Sequence, residues 1–226
     1  MHRSSRNRLT EKEAFLFPSD SLFDNVGRAV CKAGCLPRKE LFEAWEVARR
    51  VRRRFRGGRV VDLACGHGLA AALLLILDDS SPVALAVDRT LPASANKLYQ
   101  ALLESWPRLE GRIEFVEMSL QKVVLESSDL VVSVHACGHL SDLVLQQASK
   151  AQARLALLPC CHNLKEADQG GLGGWLQGSL AADVVRAHHL RNHGYTIFTQ
   201  QIPADITPKN RLLMAEPSAS IDRPHL

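Results

Sequence analysis

At 226 residues, with 46% apolar and 23% charged side chains, the chain suits one α/β domain with a full core plus an N-terminal extension. No apolar run approaches the roughly 20 residues that span a bilayer, and six irregularly spaced cysteines do not read as a disulfide framework, so a cytoplasmic protein with reduced thiols and no membrane segment is expected. The net charge of +4 is uneven: residues 1–60 hold 15 Lys/Arg against 7 Asp/Glu, the remainder 13 against 17, and a basic front on a slightly acidic body points to a polyanionic partner.

Residues 1–12 are polar and basic, without the apolar stretch of a secretory signal, and are expected to form a mobile arm. Residues 13–24 carry Phe15, Phe17, Leu22 and Phe23, enough to pack on a domain, and a helix is predicted over residues 26–33, ended by Gly34. Pro37 opens a longer helix over residues 38–55, with Leu41, Trp45, Ala48, Val51 or Arg52, and Phe55 on one face. Its end holds Arg49, Arg50, Arg52, Arg53, Arg54 and Arg56, six arginines in eight residues. Cations there complement the helix dipole on a solvated face, and the basic stretch from Arg49 to Arg59 equally suits RNA phosphates. Both readings stay open.

Gly57 and Gly58 stop that helix, and Val60, Val61, Asp62 and Leu63 begin a buried strand. Ala64, Cys65, Gly66, His67 and Gly68 form a tight loop, and residues 69–77 run apolar and helical. Strand, glycine loop and helix make the ligand-cradling unit of open α/β sheets, because glycine lets the backbone approach and the helix start offers free N–H groups. About twenty residues on, a second strand ends in Asp88, placed to accept both hydroxyls of a ribose.

Asp-x-Ala-Cys-Gly-x-Gly with an acid closing the next strand resembles the class I S-adenosyl-L-methionine-dependent methyltransferases. The resemblance implies a Rossmann-like seven-stranded sheet, with the N-terminal helical extension beside it. It implies S-adenosyl-L-methionine as cofactor, with Asp62, Ala64, Cys65, Gly66 and Gly68 at its methionine part and Asp88 at the ribose. Ser119 stands where the family places an adenine contact, often an Asp, just after the third strand, and His135 borders the same ligand.

Further helices are predicted over residues 91–106, 140–151 and 176–192, and further strands over 112–118, 129–134 and 154–158. Residues 169–174 are a glycine-rich loop, lid or linker. Residues 195–200 and 211–215 suit a terminal antiparallel pair. The expected division is 1–57 for the basic arm and helices, 58–217 for the methyltransferase domain, and 218–226 for a loose tail.

The fourth strand ends in His135-Ala136-Cys137-Gly138 and the fifth in Pro159-Cys160-Cys161-His162-Asn163. Both ends should lie on the cofactor side of the sheet. The two motifs resemble a methyltransferase subgroup that includes the eukaryotic enzyme methylating a ribose 2′-oxygen in the tRNA acceptor stem. That resemblance implies an acceptor site lined by His135, Cys137, Cys160, Cys161, His162 and Asn163, and an RNA acceptor, tRNA or rRNA. Three chemistries compete there: histidines that position the nucleophile or take its proton, a covalent thiolate, or a Cys/His zinc site. The first is favoured and no metal is expected. A small-molecule or protein acceptor, or a non-catalytic cofactor-binding module that regulates a partner, are the alternatives.

Overall fold

The computed structural model describes residues 2–159 and 162–218. Seven strands form one sheet: β1 (Val60–Leu63), β2 (Ala84–Asp88), β3 (Ile113–Glu117), β4 (Leu130–Ser133), β5 (Arg154–Leu157), β6 (Tyr195–Gln201) and β7 (Arg211–Pro217). Their order is β3-β2-β1-β4-β5-β7-β6. The first five are mutually parallel, and β7 runs antiparallel to both β5 and β6. The chain moves outward from β1 to β3, then returns to lay β4 on the other side of β1, so the order reverses between β1 and β4. Open sheets bind ligands above such a reversal, beyond the carboxyl ends of the strands.

Side chains alternate across the pleat, and both faces are covered. Val60, Ala84, Ala86, Leu130, Val132, Ala156 and Met214 share one core with four helices: α1 (Leu22–Ala33), α2 (Arg38–Arg54), α3 (Leu69–Leu77) and α4 (Ala95–Ser105). Val61, Leu63, Val87, Val131, Leu155, Leu157 and Ala215 point the other way, onto α5 (His139–Ala151) and α6 (Gly178–Asn192). The predicted elements are all present. The largest shifts are at two helix starts: α4 begins four residues late, and α1 four residues early because the Ser21 hydroxyl accepts from the Asp24 N–H at 3.2 Å and caps it there.

Two expectations change. Residues 2–12 are tied down rather than mobile: Leu9 is fully buried, its N–H donates to the Leu36 carbonyl at 2.8 Å, and Arg3 pairs with Asp205 at 2.6 Å. Composition hid this because one buried leucine among basic residues gives no periodic signal. The second concerns the arginine stretch. Arg52 is buried, donating to the Leu74 carbonyl at 2.9 Å and the Ser81 hydroxyl at 2.8 Å. Arg50 pairs with Glu46, Arg54 with Glu216 at 2.7 Å while lying over the Phe198 ring, and Arg59 holds Asp129 with two bonds. Much of the run is therefore spent inside the chain, at the end of α2 that leads into β1.

The glycine-rich segment holds a short 3-10 turn at Leu172–Gly174 followed by an exposed Trp175. No helix among the described residues is long and apolar enough to cross a membrane. Cys160, Cys161 and the tail from 219 onward lie outside the described residues.

Candidate functional site

The loop after β1 is shaped by its glycines. Gly66 has φ +53° and Gly68 φ +72°, conformations that L side chains rarely adopt. A Cβ on Gly68 would lie 2.6 Å from the Phe115 ring, so this loop can pack onto β3 only as glycine. A Cβ on Gly66 would meet nothing within 4 Å, which leaves open space above the loop.

Two carboxylates fix this loop. Asp62 Oδ2 accepts from the Ala71 N–H in the first turn of α3 at 3.2 Å. Burial pushes its carboxyl up to about 7, the Ala71 bond opposes that, and the nearby Asp88 charge adds to it. Asp88 accepts from the Gly66 N–H at 2.9 Å with one oxygen and from its neighbour's N–H, that of Arg89, at 2.7 Å with the other. Asp88 thus holds the loop and keeps further lone pairs for hydroxyl donors. Burial pushes the Cys65 thiol far above its ordinary range, helped by Asp62 and Asp88, which disfavours a thiolate there.

A cavity of about 400 Å³ opens above this loop, lined by Asp62, Ala64, Cys65, Gly66, Asp88 and His135 among others. A second, of about 390 Å³, shares Ala64, Asp88 and Leu140 with it and continues to Ser119 and Gln121. Together they form one cleft with Asp88 at the joint. The Ser119 hydroxyl is hydrogen-bonded to the Gln121 side chain at the far end. The near end has a wall that sequence reasoning missed: Leu36, Glu40 and Ala44, from the N-terminal segment and α2. Burial raises the Glu40 carboxyl above its usual range, with Glu43 adding to the effect. The available signal was spacing, since Glu40, Glu43, Ala44, Val47 and Val51 share one face of α2, an odd place for two acids.

Adjacent strands bring the two His/Cys segments together. Ser133 pairs with Leu157, the Leu158 N–H donates to the Ser133 carbonyl at 3.0 Å, and a Cβ on Gly138 would lie 3.9 Å from Asn163 Cβ. The two histidines nevertheless point to different places. His135 lines the cofactor cleft, half-buried, with Nε2 3.9 Å from Glu43 Oε2. Burial moves its imidazole below the ordinary range, against the opposing pull of Glu43. His162 is turned toward α6, its Nε2 2.7 Å from Asp183 Oδ1 and its side chain 2% exposed. Asp183 also accepts from Arg211 at 2.6 Å and Arg186 at 3.2 Å. Burial works against the Asp183 charge, but bonds from His162 and Arg211 hold its carboxyl below the usual range. Cys137 and Asn163 are exposed. Among the described residues no three His, Cys, Asp or Glu side chains are grouped to hold a metal ion.

The cleft fits S-adenosyl-L-methionine. Two connected cavities of this size suit a ligand of nucleoside plus amino acid, Asp88 sits where a ribose diol needs an acceptor, and acids line the end that would receive a sulfonium and an ammonium. Bound there, the sulfonium presents a methyl already activated for in-line transfer. The chain's part is to orient, exclude water and manage a proton.

The fold and this cleft define a Rossmann-like methyltransferase. Residues 40–167 match the family described as a methyltransferase domain, and the chain belongs to it. The domain so matched is that of enzymes that use S-adenosyl-L-methionine as methyl donor. A search by sequence among curated proteins found no match. Among solved structures, it is similar to an O-methyltransferase family protein from Burkholderia thailandensis at 17% identity and TM-score 0.53. That match covers 93% of this chain and 64% of the Burkholderia protein, so the chain spans somewhat less than two thirds of that protein's length. Magnesium protoporphyrin IX methyltransferase from Synechocystis, solved with bound S-adenosylhomocysteine, is similar at 14% identity and TM-score 0.52, over 94% of this chain and 97% of that one.

Proposed function

We propose that this protein methylates RNA, either tRNA or rRNA, in the cytoplasm. The observation that carries the RNA acceptor is the far end of α2, where Arg53, Arg54 and Arg56 stay exposed although their neighbours are buried or paired. The surface ion pairs of Arg54 with Glu216 and of Arg56 with Asp78 are each worth at most about 1 kcal/mol, so a phosphate can replace either carboxylate. From Glu40 at the cleft to Arg53 the helix rises roughly 20 Å. An RNA reaching the cleft would therefore touch these arginines several nucleotides away from the reacting one. The His-Ala-Cys-Gly and Pro-Cys-Cys-His segments support the same acceptor, and the unpaired thiols of Cys31, Cys35 and Cys65 suit a reducing compartment.

A small-molecule acceptor is the second reading. A cavity of about 530 Å³ beyond β5, lined by Pro159, Leu180, Asp183, Gln200 and Arg211, favours it. Methyl-labelled cofactor, offered with total RNA, total protein and small-molecule extract in turn, separates the readings. Label in an RNA size class, lost in Asp88→Ala and weakened by salt, supports the RNA acceptor. Label in either other pool removes it.

A further inference from the structure

The carboxylate of Glu43 sits on α2 with its side chain 1% exposed. Its Oε1 pairs with Lys39 Nζ one turn back along the helix. Its Oε2 has no hydrogen-bond partner among the described residues. Buried acceptors are rarely left unpaired, because the lost hydration is then not returned. The group that Oε2 faces is the His135 ring at 3.9 Å, a residue of the cofactor cleft. That distance is too long for a hydrogen bond and short enough for an ion pair once the ring is protonated.

We propose that Glu43 and His135 form a proton-accepting pair, in which His135 takes the proton lost by the methyl acceptor and Glu43 is the positioning residue that orients the ring and stabilises its cationic form. The proposal rests on methyl transfer at this cleft and narrows the acceptor to a nucleophile that carries a proton, a hydroxyl or an N–H. Glu43 faces Nε2, so it favours the tautomer with the proton there and leaves Nδ1 as the accepting atom. The acceptor's oxygen or nitrogen gives its lone pair to the methyl carbon, and the carbon–sulfur bonding pair stays on sulfur. The acceptor's proton passes to Nδ1, and the resulting imidazolium, facing Glu43, later yields it to water. Burial keeps the free ring neutral and able to accept. The charged groups around it are Lys39, Glu40 and Glu43 on α2, Asp62 at β1 and Asp88 at β2, with His67 on the glycine loop.

The test reads the ring directly, in the full chain without RNA or cofactor. The His135 resonance, assigned by its loss in His135→Gln, is followed by NMR against pH in wild type and in Glu43→Gln. The expected midpoint in E43Q is lower by half a pH unit or more, about a threefold loss of proton affinity. An unmoved midpoint overturns the pair. If E43Q does not fold, Lys39→Met decides instead: freeing Glu43 from its lysine should raise the midpoint, and no rise overturns the proposal. With whichever pool accepts label, E43Q should transfer methyl at least tenfold more slowly in a single turnover, and an unchanged rate also overturns it. Because the titration needs no acceptor, failure of the RNA reading leaves its outcome intact, and the reverse also holds.

Discussion

His135 and His162 follow neighbouring strands, and each faces a carboxylate from a helix, yet the two pairs are built to opposite ends. Around Asp183 the carboxylate is filled: His162, Arg186 and Arg211 all point at its two oxygens at hydrogen-bond or ion-pair distance, although the far ring nitrogen of His162, Nδ1, has no partner among the described residues. Around Glu43 one oxygen is left over and the imidazole stops at 3.9 Å. The closed network suits a strut, since a filled set of charge-assisted bonds locks α6 to β7 and to the turn after β5. The open pair keeps capacity in reserve beside a reaction cleft. A histidine next to an acid is thus no marker of chemistry by itself. What differs is whether the carboxylate's own bonds are already complete.

The sharpest way to break this contrast is at its closed member. Asp183→Ala removes the acceptor that His162 and Arg211 share, while Arg186 keeps its two bonds to Asp142, and should cost about 1–3 kcal/mol of unfolding free energy in denaturant titrations. Cofactor affinity, measured by calorimetry on the folded variant, should stay within about twofold, because Asp183 lies outside the cofactor cleft. A large loss of affinity would merge the two regions and sink the distinction.

The carboxylates also differ in the pH range where they act. Asp62 rises from 3.8 to about 7 on folding, so across that window the folded protein holds a proton that the unfolded chain has released. Stability must fall as pH rises from about 4 to 7, by something on the order of 2–4 kcal/mol. Asp62→Asn keeps an acceptor for the Ala71 N–H and should flatten that slope in urea unfolding at a series of pH values. Asp183 works the other way, because its folded carboxyl lies below 3.8: the stability it contributes is present above that value and is lost as the pH falls through its folded range.

At the cleft, Asp88→Ala removes both the loop tether and the proposed ribose acceptor. Loss of these charge-assisted bonds should weaken S-adenosyl-L-methionine binding about 100-fold, with a much smaller change in thermal midpoint. Gly68→Ala should show the reverse, an unfolding penalty of about 1–3 kcal/mol in denaturant, since its Cβ would press on the Phe115 ring.

The geometry of the glycine loop was legible because its constraints are local. Gly66 and Gly68 carry positive φ, Asp62 sits one residue before the end of β1 and Asp88 ends β2, and strand–loop–helix order brings all four together without knowledge of the rest. Helix starts were less legible, because the Ser21 cap precedes any apolar periodicity. The arginine stretch could not be sorted from sequence: Arg52 and Arg53 are adjacent, and only the position of α3 decides that one is buried against Leu74 while the other meets solvent. His162 was placed at the right strand end, but its direction depends on Asp183, Arg186 and Arg211, which come from the last third of the chain. Glu40 and Glu43 were overlooked because acids on a charged helix read as solvated until something covers them.

The wall that α2 supplies has a consequence for the order in which the site comes into being. Residues 36–44 leave the ribosome before the glycine loop, before Asp88 and well before His135, so one side of the cleft is synthesised first and has nothing to close upon. Leu9, held against Leu36, belongs to that early group. Docking of this segment completes the cleft, and any ligand that requires the finished cleft pulls the docking equilibrium with it. Cofactor should therefore protect the amides of the first 44 residues from hydrogen exchange as well as those of the loop it touches.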